Sequence, residues 1–124
     1  MIKDSEQFTD LNELIVDAIR DRKGRAVTLV DLSEIPSASA RAFIIAEGNS
    51  TTQVSSIADR LRERLLEDAR MKPFNSDGEH ANSDWIVLDY GDVWVHIMLP
   101  ETRRRYNLEE LWSDAEITDI PDLD

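Results

Sequence analysis

The sequence predicts a single α/β domain in which helices pack on a mixed β-sheet. Segments with apolar residues at three- and four-residue spacing alternate with short β-branched runs, a pattern typical of alternating helices and strands. The stretch "DWIVLDYGDVWVHIMLP", residues 84–100, has the pattern of a β-hairpin, so part of the sheet must be antiparallel. A length of 124 residues suits one domain with its own hydrophobic core.

The first half of the chain predicts two helices and two strands. The spacing predicts a helix from Ser5 to about Lys23, ended by Gly24 at the C′ position. The runs "AVTLVDL", residues 26–32, and "AFIIA", residues 42–46, predict strands, of which the second is buried.

A second helix is predicted to begin after "GNST" and to run to about Met71. Ser50 with Gln53 three residues later forms a candidate capping box at its start. The polar connector that follows contains one short extended piece at residues 72–75, before the hairpin.

The end of the chain predicts short helices and then a tail. The segment "ETRRRYNLEELW", residues 101–112, suits one or two short helices with Asn107 as a candidate cap. Residues 113–124 contain five acids, no base and one proline, which predicts a flexible acidic tail. The predicted organisation is therefore one domain over residues 1–112 and a tail over residues 113–124.

Composition narrows the classes of function. Twenty-six acids against fourteen bases give a net charge of −12, so the molecule as a whole repels nucleic-acid backbones and attracts basic proteins. The absence of cysteine excludes disulfides and thiolate zinc sites, and two histidines make a histidine-rich metal site unfavourable. No cofactor or metal is predicted. The chain has no long apolar run and no signal-like start, which predicts a cytoplasmic protein.

The two sides of the hairpin differ in chemistry. If its loop is two residues long, whether Tyr90-Gly91 or Gly91-Asp92, strict alternation divides the residues in the same way. One side is wholly aliphatic and belongs to the core: Ile86, Leu88, Val93, Val95 and Ile97. The other side carries Trp85, Val87, Asp89, Trp94, His96 and Met98.

The mixed side has two interpretations. Tryptophans beside a carboxylate and an imidazole are typical of a docking surface, where aromatic anchors stand next to groups that set orientation. The structural alternative is that this chain covers the tryptophans itself and that the histidine forms an internal hydrogen bond. Only two long helices are predicted, and two helices can hardly cover both faces of a sheet.

Two long motifs in the chain follow the pattern of one known family. The segment "DWIVLDYGDVWVHIMLPETRRRYNLEELWSDA" follows that pattern without a gap, and "FIIAEGNSTTQVSSIAD" resembles its upstream motif. The chain therefore resembles the ribosomal silencing factor family, RsfS, also called the Iojap or YbeB family. The resemblance covers residues 8–115. The chain departs from the family at Ala40-Arg41-Ala42, where a Thr-Asp pair and an aromatic are usual, and at Trp94, where small β-branched residues are usual.

The resemblance implies a fold like that of nucleotidyltransferases and a function without catalysis. Family members bind the large ribosomal subunit through ribosomal protein L14 and sterically block its association with the small subunit, which represses translation. A site on the hairpin follows from this, with Trp85 as the anchor, contact extended by Tyr90, Val93 and Trp94, and Asp89 and Asp92 paired with basic side chains. His96 either orients a carboxylate or fills space.

Two other functions stay open. A nucleotidyltransferase-like enzyme would use Gly48-Asn49-Ser50 for phosphate and Asp89 with Asp92 for metal ions. These two acids bracket a turn rather than share a strand face, and "GNST" is better explained as a capped helix start. Alternatively, the tryptophan-lined side forms a homodimer around a two-fold axis.

The residues after the hairpin are predicted to be mainly structural. Arg104, with Arg103 and Arg105, is expected to cover apolar surface and to hold the acids of the hairpin. Tyr106, Leu111 and Trp112 stand at helical or near-helical spacing and are predicted to be core.

Overall fold

A computed structural model describes residues 4–80 and 82–122, which form a mixed sheet with helices on both faces. The elements in chain order are α1 Asp4–Asp21, β1 Arg25–Asp31, β2 Ala42–Glu47, α2 Thr51–Ala69, β3 Asn75–Asp77, β4 Trp85–Asp89, β5 Val93–Met98, α3 Pro100–Tyr106, α4 Leu108–Leu111 and β6 Glu116–Asp119. The predicted α/β class is confirmed, with six strands in this part of the chain instead of about four.

The strands lie in the order β3-β4-β5-β2-β1-β6. The central pair, β2 with β5, is parallel, and the flanking pairs are antiparallel. A parallel pair needs a long crossover connection, and the segment from α2 to the hairpin supplies it. The hairpin therefore lies in the sheet, with β5 next to the buried strand β2.

Helix α1 ends near the predicted position, but Gly24 is not its left-handed residue. Lys23 takes that conformation, with φ of 60°, and its N–H bonds the carbonyl of Arg20 at 3.0 Å. Gly24 is needed for space instead, because a Cβ there would lie 2.3 Å from the Ile19 Cγ2 atom.

Helix α2 begins at the predicted capping box. The Ser50 side chain accepts a hydrogen bond from the Gln53 N–H at 3.1 Å. The Gln53 side chain accepts a return bond from the N–H of Asn49 at 2.6 Å, one residue before the position expected for a standard box. Prediction and structure agree on where this helix starts.

The two long helices cover one face of the sheet, here called the helix face. Its core is aliphatic apart from Tyr90 and combines α1, α2 and alternate strand residues, including Ile19, Leu61, Ile44, Leu88 and Ile97. At the outer edge of the two helices, Arg64 bonds Asp17, Asp21 and Asp68 at 2.8–3.0 Å. The hydrogen bonds that Asp21 accepts from Arg64 and Arg60, together with their positive charges, lower the pKa of Asp21.

The C-terminal segment is not a flexible tail over its full predicted length. Residues 116–119 form β6, which pairs antiparallel with β1, and Ile120 packs against the helix-face core. Asp122 binds Arg25 at 3.1 Å and accepts a hydrogen bond from the N–H of Ala26 at 2.9 Å. The prediction failed because the side chains of β6 are all exposed and carry no apolar alternation, although the backbone groups pair with β1.

Candidate functional site

The hairpin has a two-residue loop formed by Gly91 and Asp92. The N–H of Tyr90 bonds the carbonyl of Val93 at 2.9 Å, and Gly91 has a φ of 86°, as hairpin turns of this kind require. The strand register pairs Asp89 with Trp94 and extends to the end of β4. The predicted division of the hairpin into two sides is confirmed.

The mixed side of the hairpin lies on the sheet face opposite α1 and α2, here called the hairpin face. It carries Trp85, Val87, Asp89, Trp94, His96 and Met98, as predicted. His96 is only 5% exposed and Met98 is fully buried, whereas the other four side chains are partly exposed. The hairpin face is thus open over part of its area and covered over the rest.

The cover comes from short elements rather than from long helices. Leu108 in α4 is buried against the face, and Trp112 lies with its ring centroid 6.0 Å from that of Phe43 in β2. The loop between β1 and β2 contributes further buried residues, including Leu32 and Ala40. Elements this short do not produce the helical periodicity that the sequence prediction relied on.

Trp85 is held in place by two neighbours. Its indole N–H donates a hydrogen bond to His96 Nδ1 at 3.1 Å. The ring of Tyr106, at the end of α3, lies 4.9 Å from the Trp85 ring and is 51% exposed. These contacts fix the orientation of an indole that is still accessible from outside.

His96 is a neutral, buried partner of Trp85. Burial lowers the pKa of His96 to about 4, so the imidazole is uncharged near neutral pH. Because Nδ1 accepts the indole hydrogen bond, the ring proton lies on Nε2, which has no hydrogen-bond partner within the described residues. Of the two roles predicted for His96, carboxylate orientation and space filling, the contacts favour the second, with indole orientation added.

Tyr90 and Val93 do not face a partner, and the predicted contact through their side chains is wrong for this structure. Tyr90 is 2% exposed and Val93 is fully buried, both within the helix-face core. Alternation from Leu88 carries Tyr90 to the core side once Gly91 and Asp92 form the loop. Burial also raises the pKa of Tyr90 to about 12.

The two predicted acids remain near the surface and differ in their contacts. Asp89 accepts a hydrogen bond from the N–H of Gly91 at 2.7 Å, so its carboxylate also shapes the turn. The Asp92 side chain is 62% exposed and lies 3.9 Å from Arg41 Nη1. Either carboxylate retains oxygen lone pairs for a basic group on a partner.

The three consecutive arginines, residues 103–105, make contacts that differ from the predicted ones. Arg103 is 12% exposed and bonds Glu109 at 2.7 Å, Glu47 at 3.1 Å and the hydroxyl of Thr28 at 2.8 Å. It also donates to the carbonyl of Ala26. In the described part of the chain, none of these arginines forms an ion pair with an acid of the hairpin. The acids that Arg103 binds are Glu47 and Glu109 instead.

Three residues predicted as core or cap have other positions. Tyr106 and Leu111 are 51% and 69% exposed, because α3 and α4 are too short to turn a whole apolar stripe towards the sheet. Trp112 is partly buried on the hairpin face, in agreement with the prediction. Asn107 is left-handed, with φ of 42°, and ends α3 instead of capping α4 with its side chain.

The parts needed for nucleotidyl transfer do not come together. Ser50 caps α2 just beyond the end of β2, where Glu47 pairs with Met98, whereas Asp89 pairs with Trp94 at the other end of β5. Across residues 4–80 and 82–122, no group of three acids or histidines is arranged to hold a metal ion. No helix in the same ranges is long and apolar enough to cross a membrane.

Comparison with known proteins places the fold and the sequence motifs in one family. The family model described as "Ribosomal silencing factor during starvation" matches residues 5–124. The chain belongs to the ribosomal silencing factor (RsfS) family. The resemblance inferred from the motifs is thereby confirmed.

Individual relatives agree with this assignment. A ribosomal silencing factor RsfS from Chromobacterium violaceum is 35% identical over 106 residues, covering 86% of this chain and 84% of the relative. A crystal structure of a protein from the same organism superposes with a TM-score of 0.78 at 33% identity, covering 85% of each chain. The mouse protein named "Mitochondrial assembly of ribosomal large subunit protein 1" is 36% identical over 73 residues, 57% of this chain and 32% of its own.

Proposed function

We propose that this chain binds the large ribosomal subunit through ribosomal protein L14 and sterically blocks association with the small subunit, repressing translation in the cytoplasm. The observation that carries the proposal is the partly exposed aromatic group on the hairpin face, formed by Trp85, Trp94 and Tyr106. Membership of the ribosomal silencing factor family supports a role at the ribosome. The name of the mouse relative supports the large subunit as the target.

The aromatic group has the properties of an interface anchor. Trp85 is oriented by its hydrogen bond to His96 and by the ring of Tyr106, so little conformational freedom is lost when a partner covers it. Trp94 is stacked on Phe43 with ring centroids 5.8 Å apart, which restricts its orientation. Tryptophan and tyrosine dominate the binding energy of many protein interfaces.

Charge supports a basic protein partner. With a net charge of −12, the molecule is drawn towards lysine- and arginine-rich proteins and repelled by exposed RNA. Docking on a basic ribosomal protein would leave the rest of this acidic molecule facing the small subunit. Steric exclusion and repulsion would then act together, and we expect the affinity to fall as salt rises from about 50 to 300 mM.

The proposal is tested by measuring binding to purified large and small subunits by co-sedimentation. We expect the protein to bind large subunits only and Trp85→Ala to weaken that binding by about 30-fold, since losing a central anchor costs about 2 kcal/mol or more. Leu66→Ala is the matched control, because Leu66 is a 47% exposed apolar residue on α2, far from the hairpin face. It should bind like the unmodified protein.

A second readout follows subunit joining directly by light scattering. The unmodified protein should lower the extent of association, and Trp85→Ala should restore it. Trp85→Phe separates folding from docking, because it keeps a ring in place but removes the indole hydrogen bond to His96. Unchanged binding by a folded Trp85→Ala protein would contradict the assigned anchor.

A further inference from the structure

Helix α3 presents two adjacent basic side chains that the fold does not use. Arg104 and Arg105 are exposed, and neither forms an ion pair or hydrogen bond within residues 4–80 and 82–122. Their neighbour Arg103 differs from them in its surroundings, since its side chain is nearly buried and forms ion pairs with two glutamates. The run of three arginines is therefore one internal cation followed by two outward-facing ones.

The acids closest in sequence do not neutralise this pair. Glu109 is taken by Arg103 at 2.7 Å, and Glu110 accepts a hydrogen bond from the Asn107 side chain at 2.6 Å. Glu101 lies three and four positions before the two arginines, yet no ion pair joins them among the described contacts. Arg104 and Arg105 thus form a local cationic patch on a molecule with a net charge of −12.

The patch adjoins the aromatic anchor. Tyr106 follows Arg105 directly, and its ring lies 4.9 Å from that of Trp85. Thr102, on the same helix, donates a hydrogen bond to Asp84 at 2.8 Å and fixes α3 against the start of β4. Arg104 and Arg105 point in other directions from this helix than the Tyr106 ring, so they face what lies beside a partner that covers Trp85.

We propose that Arg104 and Arg105 contact backbone phosphates of ribosomal RNA beside the protein that Trp85 engages. This inference rests on the proposed function and names a second component of the same docking surface. Arginine guanidinium groups bind phosphate through paired hydrogen bonds, and exposed tyrosine offers a ring on which a base can stack. Phosphate contacts carry no sequence preference, so they position the protein rather than select a site.

The net negative charge is compatible with such a contact. Charges separated by more than about 8 Å are largely screened at physiological salt, so a phosphate near the patch responds mainly to the nearest arginines. Free RNA approaching from solution meets the field of the whole molecule and is repelled. The RNA contact thus forms only after the aromatic anchor has docked on protein.

The test compares two partners, intact large subunits and isolated ribosomal protein L14, for the double variant Arg104→Ala with Arg105→Ala. We expect the affinity for large subunits to fall by about 10-fold or more, with unchanged affinity for the isolated protein. The slope of log affinity against log salt for large subunits should become shallower by about 1 to 2, as expected when two phosphate contacts are lost.

A double variant that removes the same charge elsewhere is the control. Arg22→Ala with Lys72→Ala changes two exposed basic residues away from α3 and should leave both affinities nearly unchanged. Arg104→Lys with Arg105→Lys keeps the charge and should restore part of the lost affinity. Thermal unfolding of each variant reports any loss of stability in α3.

Each outcome decides the inference. Equal losses for subunits and for isolated L14 would show that the arginines contact protein, and no loss for either would show that they contact nothing; both results overturn the RNA contact. In either case a loss on Trp85→Ala would leave the proposed function standing. A protein that binds no large subunits at all would overturn both proposals.

Discussion

The two faces of the sheet are stabilised in different ways. The helix face is buried beneath α1 and α2 and is lined almost wholly by aliphatic side chains. The hairpin face has a buried histidine among aromatic rings, and it is covered by a loop and two short helices that the Arg103 ion pairs join to β2. The polar groups of the hairpin face are costly to bury. Arg103 and His96 Nδ1 have specific partners, whereas Nε2 of His96 has none within the described residues.

This difference shows how a small domain can keep part of a sheet face accessible. Long amphipathic helices bury everything under them, so a face they cover has no side chains left for a partner. Short elements with specific polar contacts cover the centre of a face and leave its margins accessible. Trp85 and Trp94 lie at such margins, each fixed by buried neighbours.

The largest expected effect tests the ion-pair cluster. Arg103→Ala should lower the free energy of unfolding by about 3–5 kcal/mol, because it leaves Glu47 and Glu109 without their cation in a partly buried place. Urea denaturation measures this loss. Arg104→Ala, one residue on and exposed, should change stability by less than about 0.5 kcal/mol. Equal effects would mean that the cluster does not support the hairpin face.

Neighbouring residues of β4 compare the two faces directly. Leu88→Ala removes a fully buried side chain from the helix face and should cost about 2–5 kcal/mol. Val87→Ala removes a partly exposed side chain from the hairpin face and should cost about 1 kcal/mol or less. Urea unfolding of both variants measures the two losses in the free energy of unfolding. Similar losses would show that the hairpin face is as tightly covered as the helix face.

A smaller effect depends on pH and belongs to His96. The pKa of His96 in the folded protein is about 4, below the usual value near 6.5. Between these two pH values, His96 is protonated in the unfolded chain but not in the folded protein. The stability from this group is complete above pH 6.5 and decreases as the pH falls towards 4. Between pH 7.5 and 5 we expect a loss of about 2 kcal/mol.

The variant His96→Gln isolates this loss in urea unfolding at several pH values. His80 is exposed and common to both proteins, so its contribution cancels in the difference. The variant should start less stable at pH 7.5 and lose less as the pH falls. Parallel stability curves for the two proteins would contradict a buried, neutral His96.

Sequence patterns were sufficient wherever burial repeats with a regular period. The periodicity of α1 and α2, the capping box at Ser50 and the alternation in the hairpin all appear in the structure. β6 was missed because its side chains are exposed and show no apolar alternation, and only its backbone pairing shows that it is a strand. The loop from residue 32 to residue 41 was missed as part of the cover, since it packs without any regular period.

The candidate site shows where two kinds of reasoning disagree. Alternation placed Val93 on the core side, whereas family resemblance placed it in the contact with a partner. The structure follows alternation for Val93 and extends it to Tyr90. The position of Tyr106 beside Trp85 could not be predicted from the sequence, because it depends on how α3 packs and not on residue spacing within one element.

The edge strand β6 affects whether copies of this molecule associate with one another. An open sheet border is a template on which further chains can add and grow into fibrils. One of the two borders of this sheet is β6, which begins with Glu116 and ends with Asp119. Two such borders brought side by side would oppose like charges, so the acidity that would attract the proposed basic partner also opposes self-association through β6.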